Sequence, residues 1–296
     1  MKAAGISDIG KCRKNNEDAY YMAEEGAPLR HLYIVADGMG GCNAGEVASQ
    51  SAIAAFLDYV KEEYEDQELS DLLAGAFQAA NKAVFDQSNS ALEFAEMGTT
   101  MVAAVIDQPR AYVAHVGDSR AYLMQKGELQ LLTTDHSYVM ELVKMGTITK
   151  EEAAMHPKRN IITRPVGIKD TVETDMTVVS VQKGDLLLLC TDGLSGMLSD
   201  EELTEILRQK QSVKKKAKLL VEAANLRGGY DNISLILIEI QEGTTDVIES
   251  GHCPWGQIRN YRENRFRRHG GGIPRERSEI RSICDNQSLA GGIHRR

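Results

Sequence analysis

The chain alternates short apolar segments with longer segments of helical periodicity. The short segments are rich in β-branched and aliphatic residues, which predicts strands. They are 31–36, 99–106, 110–116, 119–125, 129–132, 176–181, 185–190 and 233–240. Lys126-Gly127-Glu128, which lies between two of them, has the composition of a hairpin turn.

Three segments repeat apolar residues every three or four positions, which is typical of helices with one buried face. These repeats run through 48–60, 69–84 and 213–224. Thr149-x-x-Glu152 and Ser199-x-x-Glu202 fit capping boxes, so they predict the starts of two further helices.

The order of these elements is not a regular alternation of strand and helix. Two long helices separate the early strand from a run of adjacent strands. This order favours an α+β fold in which mostly antiparallel sheets are covered by helices. We therefore expect a central two-sheet antiparallel β-sandwich flanked by α-helices.

The composition changes near residue 242. Residues 243–296 contain ten basic residues, all of them Arg, and six acidic ones, although the whole chain has a formal net charge of −9. This segment also contains Gly270-Gly271-Gly272 and little apolar periodicity, as disordered extensions do. We therefore expect a globular domain over 1–242 and a basic, disordered extension over 243–296. Such a tail can bind an acidic partner, but an appendage without a catalytic role is the simpler interpretation.

Charge and cysteine usage exclude several classes of protein. The acidic body shows no basic face of the kind that nucleic-acid binders carry. The five cysteines are odd in number and form no C-x-x-C pair, so we expect neither a disulfide framework nor a zinc site, and a reducing compartment. No apolar leader follows Met1, and the apolar runs are too short to span a bilayer. The expectation is a cytoplasmic protein that binds neither nucleic acid nor membrane.

Acidic residues adjoin glycine or a predicted strand at several places along the chain. They are Glu17 and Asp18, Asp37 before Gly38, Asp118 after Gly117, Asp192 before Gly193, and Asp231 before the last strand. A strand fixes the position of an acid, and glycine lets a carbonyl group or a ligand approach closely. Several acids at one sheet edge repel each other unless cations neutralise them, and oxygen ligands favour Mg²⁺ or Mn²⁺. Asp-Gly is also a common turn dipeptide, so one such pair alone indicates nothing.

Eight short motifs that contain these acids follow one another in a fixed order. They are Arg13…Glu17-Asp18, Val35-Ala36-Asp37-Gly38-Met39-Gly40-Gly41, Gly98-Thr99-Thr100, Gly117-Asp118-Ser119-Arg120-Ala121-Tyr122, Asp135-His136, Asn160-x-x-Thr163-Arg164, Thr191-Asp192-Gly193-Leu194 and Asp231-Asn232-Ile233-Ser234. In order and spacing the set resembles the type 2C metal-dependent serine/threonine protein phosphatases, in their short bacterial form. The resemblance covers roughly residues 3–240.

The resemblance implies a β-sandwich flanked by helices on both sides and a phosphatase domain over 1–242. It implies hydrolysis of phosphoserine and phosphothreonine in proteins by a hydroxide that bridges two Mg²⁺ or Mn²⁺ ions. In this family Asp37 would bridge the two ions and the Gly38 carbonyl would bind one of them. Asp192 and Asp231 would complete the coordination of the other ion. Asp118, together with Asp192, would bind a third metal ion.

Further residues would bind the water molecules of the ions, the substrate phosphate or the leaving group. Glu17 and Asp18 would hold metal-bound water molecules. Arg13 would hold the substrate phosphate with its planar fork. Many eukaryotic members carry His where this chain has Met39, and that His is a proposed acid for the leaving alkoxide. We therefore expect a metal-bound water to supply the proton, with His136 as the alternative.

Residues 143–168 would form the flap over the cleft in bacterial relatives. Lys158, Arg159 and Arg164 are candidates to meet the substrate phosphate or acidic flanking residues, and a solvated mobile loop is an equal alternative. Bacterial relatives usually have Thr-Arg-Ala-Leu-Gly where this chain has Thr163-Arg164-Pro165-Val166-Gly167. Because proline restricts the backbone, this departure leaves flap conformation and substrate preference open.

Two other functions compete with the phosphoprotein phosphatase. A catalytically silent scaffold would have lost ligands, whereas Asp37, Asp192 and Asp231 are all present. A small-molecule phosphatase of the haloacid dehalogenase type needs an Asp-x-Asp pair, which Asp37-Gly38-Met39 lacks. The implied partners are phosphoprotein substrates and a bacterial serine/threonine kinase, and we expect a monomer.

Overall fold

The structure is a computed structural model that describes residues 1–24, 26–40, 44–64 and 67–241. Its strands are β1 (Lys2–Asp8), β2 (Asp18–Met22), β3 (Leu32–Met39), β4 (Gly98–Thr99), β5 (Met101–Asp107), β6 (Arg110–Val116), β7 (Arg120–Gln125), β8 (Glu128–Leu131), β9 (Asp175–Ser180), β10 (Leu186–Cys190) and β11 (Ile233–Glu239). Its helices are α1 (Ala44–Glu63), α2 (Leu69–Ser88), α3 (Tyr138–Lys144), α4 (Lys150–Ala154), α5 (Asp192–Ser195), α6 (Asp200–Arg208) and α7 (Val213–Leu226). The predicted extension 243–296 lies outside the described residues, so it stays a prediction.

Two antiparallel sheets form the centre of the fold. One has the strand order β1-β11-β10-β7-β8, and the other has the order β2-β3-β5-β6-β9 with β4 beside β3. Helices α1 and α2 pack on the outer face of the second sheet, and α5, α6 and α7 pack on the outer face of the first. The predicted α+β sandwich with helices on both sides is confirmed.

Successive residues of the central strands face two different apolar layers. In β3, Tyr33 and Val35 belong to the layer between the sheets, whereas Leu32, Ile34 and Ala36 pack towards the outer helices. Strands β10 and β11 alternate in the same way. Strands buried on both faces read as continuous apolar runs, which is why the sequence predicted them.

The two predicted helix starts and the predicted hairpin turn are confirmed. Thr149 and Ser199 each accept a hydrogen bond from the amide of the glutamate three residues on, and each glutamate side chain accepts one in return. These capping boxes begin α4 and α6. Lys126 and Gly127 both have positive φ, 52° and 85°, and join β7 to β8. Two such residues match the right-handed twist of a two-residue hairpin.

The sequence did not predict β1, β2, β4, α3 or α5. Strands β1 and β2 lie at the edges of their sheets, and most of their residues are only half-buried. They therefore lack the strong apolar run that marks a central strand. Among the described helices, none combines the length and the apolar character that crossing a membrane requires.

Candidate metal centre

Asp37, near the end of β3, is held through its main chain by two threonines. The Thr100 amide donates to the Asp37 carbonyl at 2.9 Å, and the Thr99 hydroxyl donates to the same oxygen at 2.8 Å. In return the Asp37 amide donates to Thr100 Oγ1 at 3.1 Å. Asp18 lies directly opposite Asp37 in the β2–β3 pair. Strand pairing therefore places two carboxylates side by side.

Asp192 and Asp231 approach each other because β10 and β11 are antiparallel neighbours. Asp192 comes two residues after the end of β10, and Asp231 comes two residues before the start of β11. Thr191 anchors this corner: its amide donates to the Ser234 carbonyl at 3.0 Å, and its hydroxyl donates to Asp18 Oδ2 at 2.9 Å. The last bond crosses from one sheet to the other, so it joins the two pairs of acids.

Asn232 holds the loop between β1 and β2. Its side-chain amide donates to the carbonyls of Ile9 and Asn15 at 3.0 Å and 2.9 Å. Its side-chain oxygen accepts from the Glu17 amide at 2.8 Å. Because Asn232 is buried, these three bonds satisfy the polar atoms of its own side chain. The loop that carries Arg13 and Glu17 is thereby tied to the residue after Asp231.

Glu17 is fixed from its other side as well. Its carbonyl accepts from the Gly38 amide at 3.1 Å and from the Ser49 hydroxyl at 2.7 Å. The sequence did not predict these roles of Ser49, Thr191 and Asn232. Thr191 and Asn232 adjoin predicted acids, which was the available signal. Ser49 lies within α1, and nothing in the sequence marks it.

Arg13 lies at the rim of the acidic group. Its Nη2 is 2.7 Å from Asp231 Oδ2, and half of its side chain is exposed to solvent. Opposite charges at that distance attract, but exposure weakens the pair. The structure thus places the predicted phosphate-binding arginine beside a predicted metal ligand, with the guanidinium accessible from the cleft.

The glycines after Asp37 and Asp192 are required by close packing and not by a turn. A Cβ atom on Gly38 would lie 2.0 Å from the Gly45 carbonyl oxygen, and one on Gly193 would lie 1.9 Å from the Asn232 carbonyl oxygen. Neither glycine has the positive φ of a turn glycine. The Asp-Gly pairs therefore mark places where another segment approaches the main chain.

Burial and mutual repulsion raise the pKa values of Asp18, Asp37, Asp118 and Asp192. The pKa of Asp37 is raised well above its usual range by burial and by the charges of Asp18, Asp192, Asp118 and Asp231. Burial is also the main cause that raises the pKa of Asp18 to about 7 and that of Asp118 to about 8. The charges of the other four predicted aspartates therefore act on Asp37, and such a group resists being ionised together without a counter-charge.

Two of these carboxylates have an oxygen that no protein donor satisfies. Asp18 Oδ1 and Asp192 Oδ1 are buried and accept no hydrogen bond from the described part of the chain. Leaving a buried acceptor unpaired costs free energy, which a bound cation removes. The surrounding atoms that could bind a metal ion are carboxylate and carbonyl oxygens, which suit Mg²⁺ or Mn²⁺. The residues present therefore fit the expected ions.

His136 belongs to a separate group beside the carboxylates. Its Nδ1 accepts from the Gly117 amide at 3.1 Å, its Nε2 lies 3.3 Å from Asp175 Oδ2, and its ring stacks on that of His115 with 4.7 Å between centroids. Burial, followed by the neighbouring His115, lowers the pKa of His136 to about 4. The ring is therefore neutral near pH 7 and turned towards other protein groups. This geometry does not favour His136 as the acid for the leaving alkoxide.

Pro165 fits the main chain of the predicted flap without loss of a hydrogen bond. The neighbouring bonds use the Thr163 amide, which donates to the His136 carbonyl at 2.8 Å, and the Val166 amide, which donates to the Thr99 carbonyl at 2.8 Å. Residue 165 lies between these two donors. The missing amide of proline therefore leaves no partner unsatisfied.

The cations of the predicted flap differ in their surroundings. Within 143–168, Lys158 and Arg159 are exposed to solvent. Arg164 instead donates from Nη1 to Asp175 Oδ1 at 2.6 Å. Arg164 is therefore part of the junction between the flap and the sheet. Lys158, whose Nζ lies 5.5 Å from the centroid of the Tyr138 ring, and Arg159 are exposed to an incoming partner.

Comparison with known proteins agrees with this geometry. Residues 11–225 match the family model described as Protein phosphatase 2C. The serine/threonine phosphatase stp of Listeria monocytogenes is 41% identical over 244 residues, which is 81% of this chain and 96% of that protein. The crystal structure of the Mycobacterium tuberculosis serine/threonine phosphatase PstP/Ppp has a TM-score of 0.74 and 39% identity, over 81% of this chain and 98% of that chain. The PstP catalytic domain in complex with two manganese ions has a TM-score of 0.71 and 38% identity, with coverages of 81% and 98%.

These relatives align over almost their whole length, and the family model covers most of the chain. The two stacked sheets of this chain therefore have a common origin with those of the relatives. The chain belongs to the protein phosphatase 2C family and is a serine/threonine protein phosphatase.

Proposed function

We propose that this phosphatase hydrolyses phosphoserine and phosphothreonine in proteins at the carboxylate centre, with two Mg²⁺ or Mn²⁺ ions bound and a third bound more weakly. The observation that carries the proposal is the convergence of five aspartates, two of which have a buried oxygen without a donor in the described part of the chain. The PstP relative with two manganese ions supports manganese as a suitable ion.

Five residues would hold the ions directly. We assign Asp37 to both principal ions, because the charges of all four other aspartates raise its pKa. The Gly38 carbonyl would bind one of these ions, and Asp192 and Asp231 would bind the other. Asp118 would hold the third ion together with Asp192, which is the charged neighbour that raises the Asp118 pKa most.

Glu17 and Asp18 would orient water molecules of the ions. Asp18 has one oxygen fixed by the Thr191 hydroxyl and one buried oxygen without a donor in the described residues, so it points a free acceptor into the centre. Glu17 has its main chain fixed on both sides, and burial raises its pKa. Carboxylates in this position fix geometry and basicity around a metal ion.

The ions, when bound, would supply Lewis-acid chemistry: they make water nucleophilic at neutral pH and neutralise phosphoryl oxygens. Arg13 would orient the phosphate, since its half-exposed guanidinium can exchange Asp231 for two phosphate oxygens. Met39 has no proton to give, and His136 is turned towards Asp175. The leaving alkoxide would therefore take its proton from water in the cleft.

The biological setting is also part of the proposal. A phosphatase of this family needs phosphoprotein substrates, and we propose that it opposes a bacterial serine/threonine kinase in the cytoplasm. The free thiols of Cys12 and Cys190 are compatible with a reducing compartment. We further propose that residues 1–242 act as a monomeric catalytic domain and that 243–296 form a non-catalytic extension.

The test is hydrolysis of p-nitrophenyl phosphate and of a phosphothreonine peptide, with Mn²⁺, with Mg²⁺ and with chelator. Asp192→Asn keeps the side-chain shape and removes the charge, and Asp58→Asn makes the same change on the exposed face of α1. We expect activity that requires metal, is lost in Asp192→Asn and is retained in Asp58→Asn.

Full activity in chelator, or in Asp192→Asn, would exclude the two-metal proposal. A protein that binds Mn²⁺ and hydrolyses neither substrate would be a scaffold or would be inhibited by its own extension. A chain truncated after Gly243 separates these two, because only the inhibited enzyme gains activity.

A further inference from the structure

Two buried histidines and a half-buried aspartate lie beside the carboxylate centre, and none of them is a predicted metal ligand. His115 and His136 are each 3% exposed, and their rings stack at an angle of 16°. His115 on β6 lies directly opposite Asp175 on β9. The three side chains thus meet at the end of the six-stranded sheet, where the chain leaves for Asp118.

On one side His136 holds the turn before Asp118. Its Nδ1 accepts from the Gly117 amide at 3.1 Å, and its own amide donates to the Gly117 carbonyl at 3.0 Å. Gly117 has φ +100°, and a Cβ atom there would lie 2.6 Å from the side chain of Thr100. The turn therefore has little freedom, and the His136 ring is the side chain that fixes its amide.

On the other side His136 meets the root of the predicted flap. Its Nε2 lies 3.3 Å from Asp175 Oδ2, and Asp175 Oδ1 accepts from Arg164 at 2.6 Å. The His136 carbonyl accepts from the Thr163 amide at 2.8 Å. Because Nδ1 is an acceptor, the proton of the neutral ring is on Nε2, which lies close to the carboxylate but makes no hydrogen bond within the described residues. The His136 imidazole therefore directs one nitrogen towards the Gly117 turn and the other towards Asp175.

A metal ion is a weaker explanation for this cluster. Ligand atoms of His115, His136 and Asp175 lie within 4.8 Å of one another. However, the carbonyl of Thr134 accepts from His115 Nε2 at 2.9 Å, and Arg164 already neutralises Asp175. A cation would have to displace both the arginine and existing hydrogen bonds. The present bonds instead describe a junction.

We propose that His136 is a positioning residue that couples the root of residues 143–168 to Asp118. The inference rests on the proposed function, in which Asp118 holds the third ion. Its Nδ1 sets the Gly117–Asp118 turn, and its Nε2 sets Asp175 and, through it, Arg164.

Two substitutions test the roles of the two His136 ring nitrogens separately. In His136→Asn the side-chain oxygen takes the place of Nδ1, so the bond from Gly117 is kept and the contact with Asp175 is lost. In His136→Gln the longer side chain reaches towards Asp175, so the bond from Gly117 is lost instead. His31→Asn is the matched control, because His31 is half-buried at the start of β3, and asparagine tolerates its φ of 59°.

The measurements are calorimetric Mn²⁺ titration of the full chain and the rate of tryptic cleavage at the exposed Lys158 and Arg159. We expect His136→Gln to weaken the weakest Mn²⁺ site by about 10-fold and to leave cleavage near wild type. We expect His136→Asn to keep Mn²⁺ affinity and to accelerate cleavage. His31→Asn should change neither property.

Equal changes of both properties in the Asn and Gln variants, or no change in either, would overturn the inference. If these variants fail to fold, Asp175→Asn decides, because it should accelerate cleavage without changing Mn²⁺ affinity. Wild-type protein that binds no Mn²⁺ would instead refute the proposed function. The wild-type titration therefore separates failure of that function from failure of the coupling.

Discussion

Asp18 and Asp37 face each other directly across the β2–β3 pair, so two carboxylates occupy a position where like charges destabilise a sheet. The Thr191 hydroxyl binds one oxygen of Asp18, which leaves the repulsion between the two acids uncompensated. The fold therefore holds a destabilising pair that a cation between the acids would turn into a stabilising one.

The first prediction concerns pH in metal-free protein. The pKa of Asp18 is raised to about 7 and that of Asp118 to about 8, so the folded state keeps protons that the unfolded state releases. The stability that these groups contribute is complete below their unfolded pKa and is lost as pH rises through the folded values. We expect the Tm in chelator to fall as pH rises from about 5.5 to about 8.5.

Thermal unfolding with and without Mn²⁺ across that range measures this effect. Added Mn²⁺ should raise the Tm most at the alkaline end, where the acids are ionised. Asp118→Asn should flatten the pH dependence, whereas Asp58→Asn should leave it unchanged. A metal-free Tm that is constant over this range would contradict the electrostatic account of the centre.

The second prediction concerns the planar fork of Arg13. Arg13→Lys keeps the charge but loses the two parallel donors, so kcat/KM for p-nitrophenyl phosphate should fall by about 100-fold. The exposed Arg110→Lys, at the start of β6, should have no effect. Steady-state kinetics with saturating Mn²⁺ measure both variants. Unchanged kinetics in Arg13→Lys would remove Arg13 from the phosphate site.

The third prediction concerns the buried amide of Asn232. Asn232→Ala removes three hydrogen bonds, with the Glu17 amide and with the carbonyls of Ile9 and Asn15, so the free energy of unfolding should fall by about 3 kcal/mol. Asn89→Ala removes one exposed bond at the end of α2 and should cost about 0.5 kcal/mol. Urea unfolding measures both values, and equal losses would exclude Asn232 as the anchor of the loop.

The fourth prediction concerns the Thr191 hydroxyl. Thr191→Val keeps the shape but leaves Asp18 Oδ2 and the Ser234 amide without their partner, so stability should fall by about 2 kcal/mol and Mn²⁺ affinity by about 10-fold. Thr191→Ser keeps the hydroxyl and should retain Mn²⁺ affinity. Calorimetry and urea unfolding compare the two variants. If serine and valine weaken Mn²⁺ binding alike, the methyl group and not the hydroxyl is responsible.

The sequence predicted the parts of the fold that are buried on two faces. β10 and β11 read as continuous apolar runs because one set of their side chains faces the other sheet and one set faces helices. β1 and β2 have no such signal because they are half-buried edges. Their positions depend on pairing with distant strands, which short-range patterns do not contain.

The acids of the centre were predictable because they adjoin strand ends and lie in motifs that resemble those of the family. The cluster of His115, His136 and Asp175 was not predictable as a unit. His115 and Asp175 meet only through the register of β6 with β9, 60 positions apart in the chain. The alignment of two strands that are remote in sequence is decided by the whole core.

The place of β11 between β1 and β10 also has a consequence for biosynthesis. Asp231 and Asn232 immediately precede this strand, which is the last one in the described residues. A nascent chain that has left the ribosome only as far as α7 already contains Asp37, Asp118 and Asp192, but lacks the residue that anchors the loop of Arg13. The centre can therefore be completed only after β11 has been synthesised and has paired with β1 and β10.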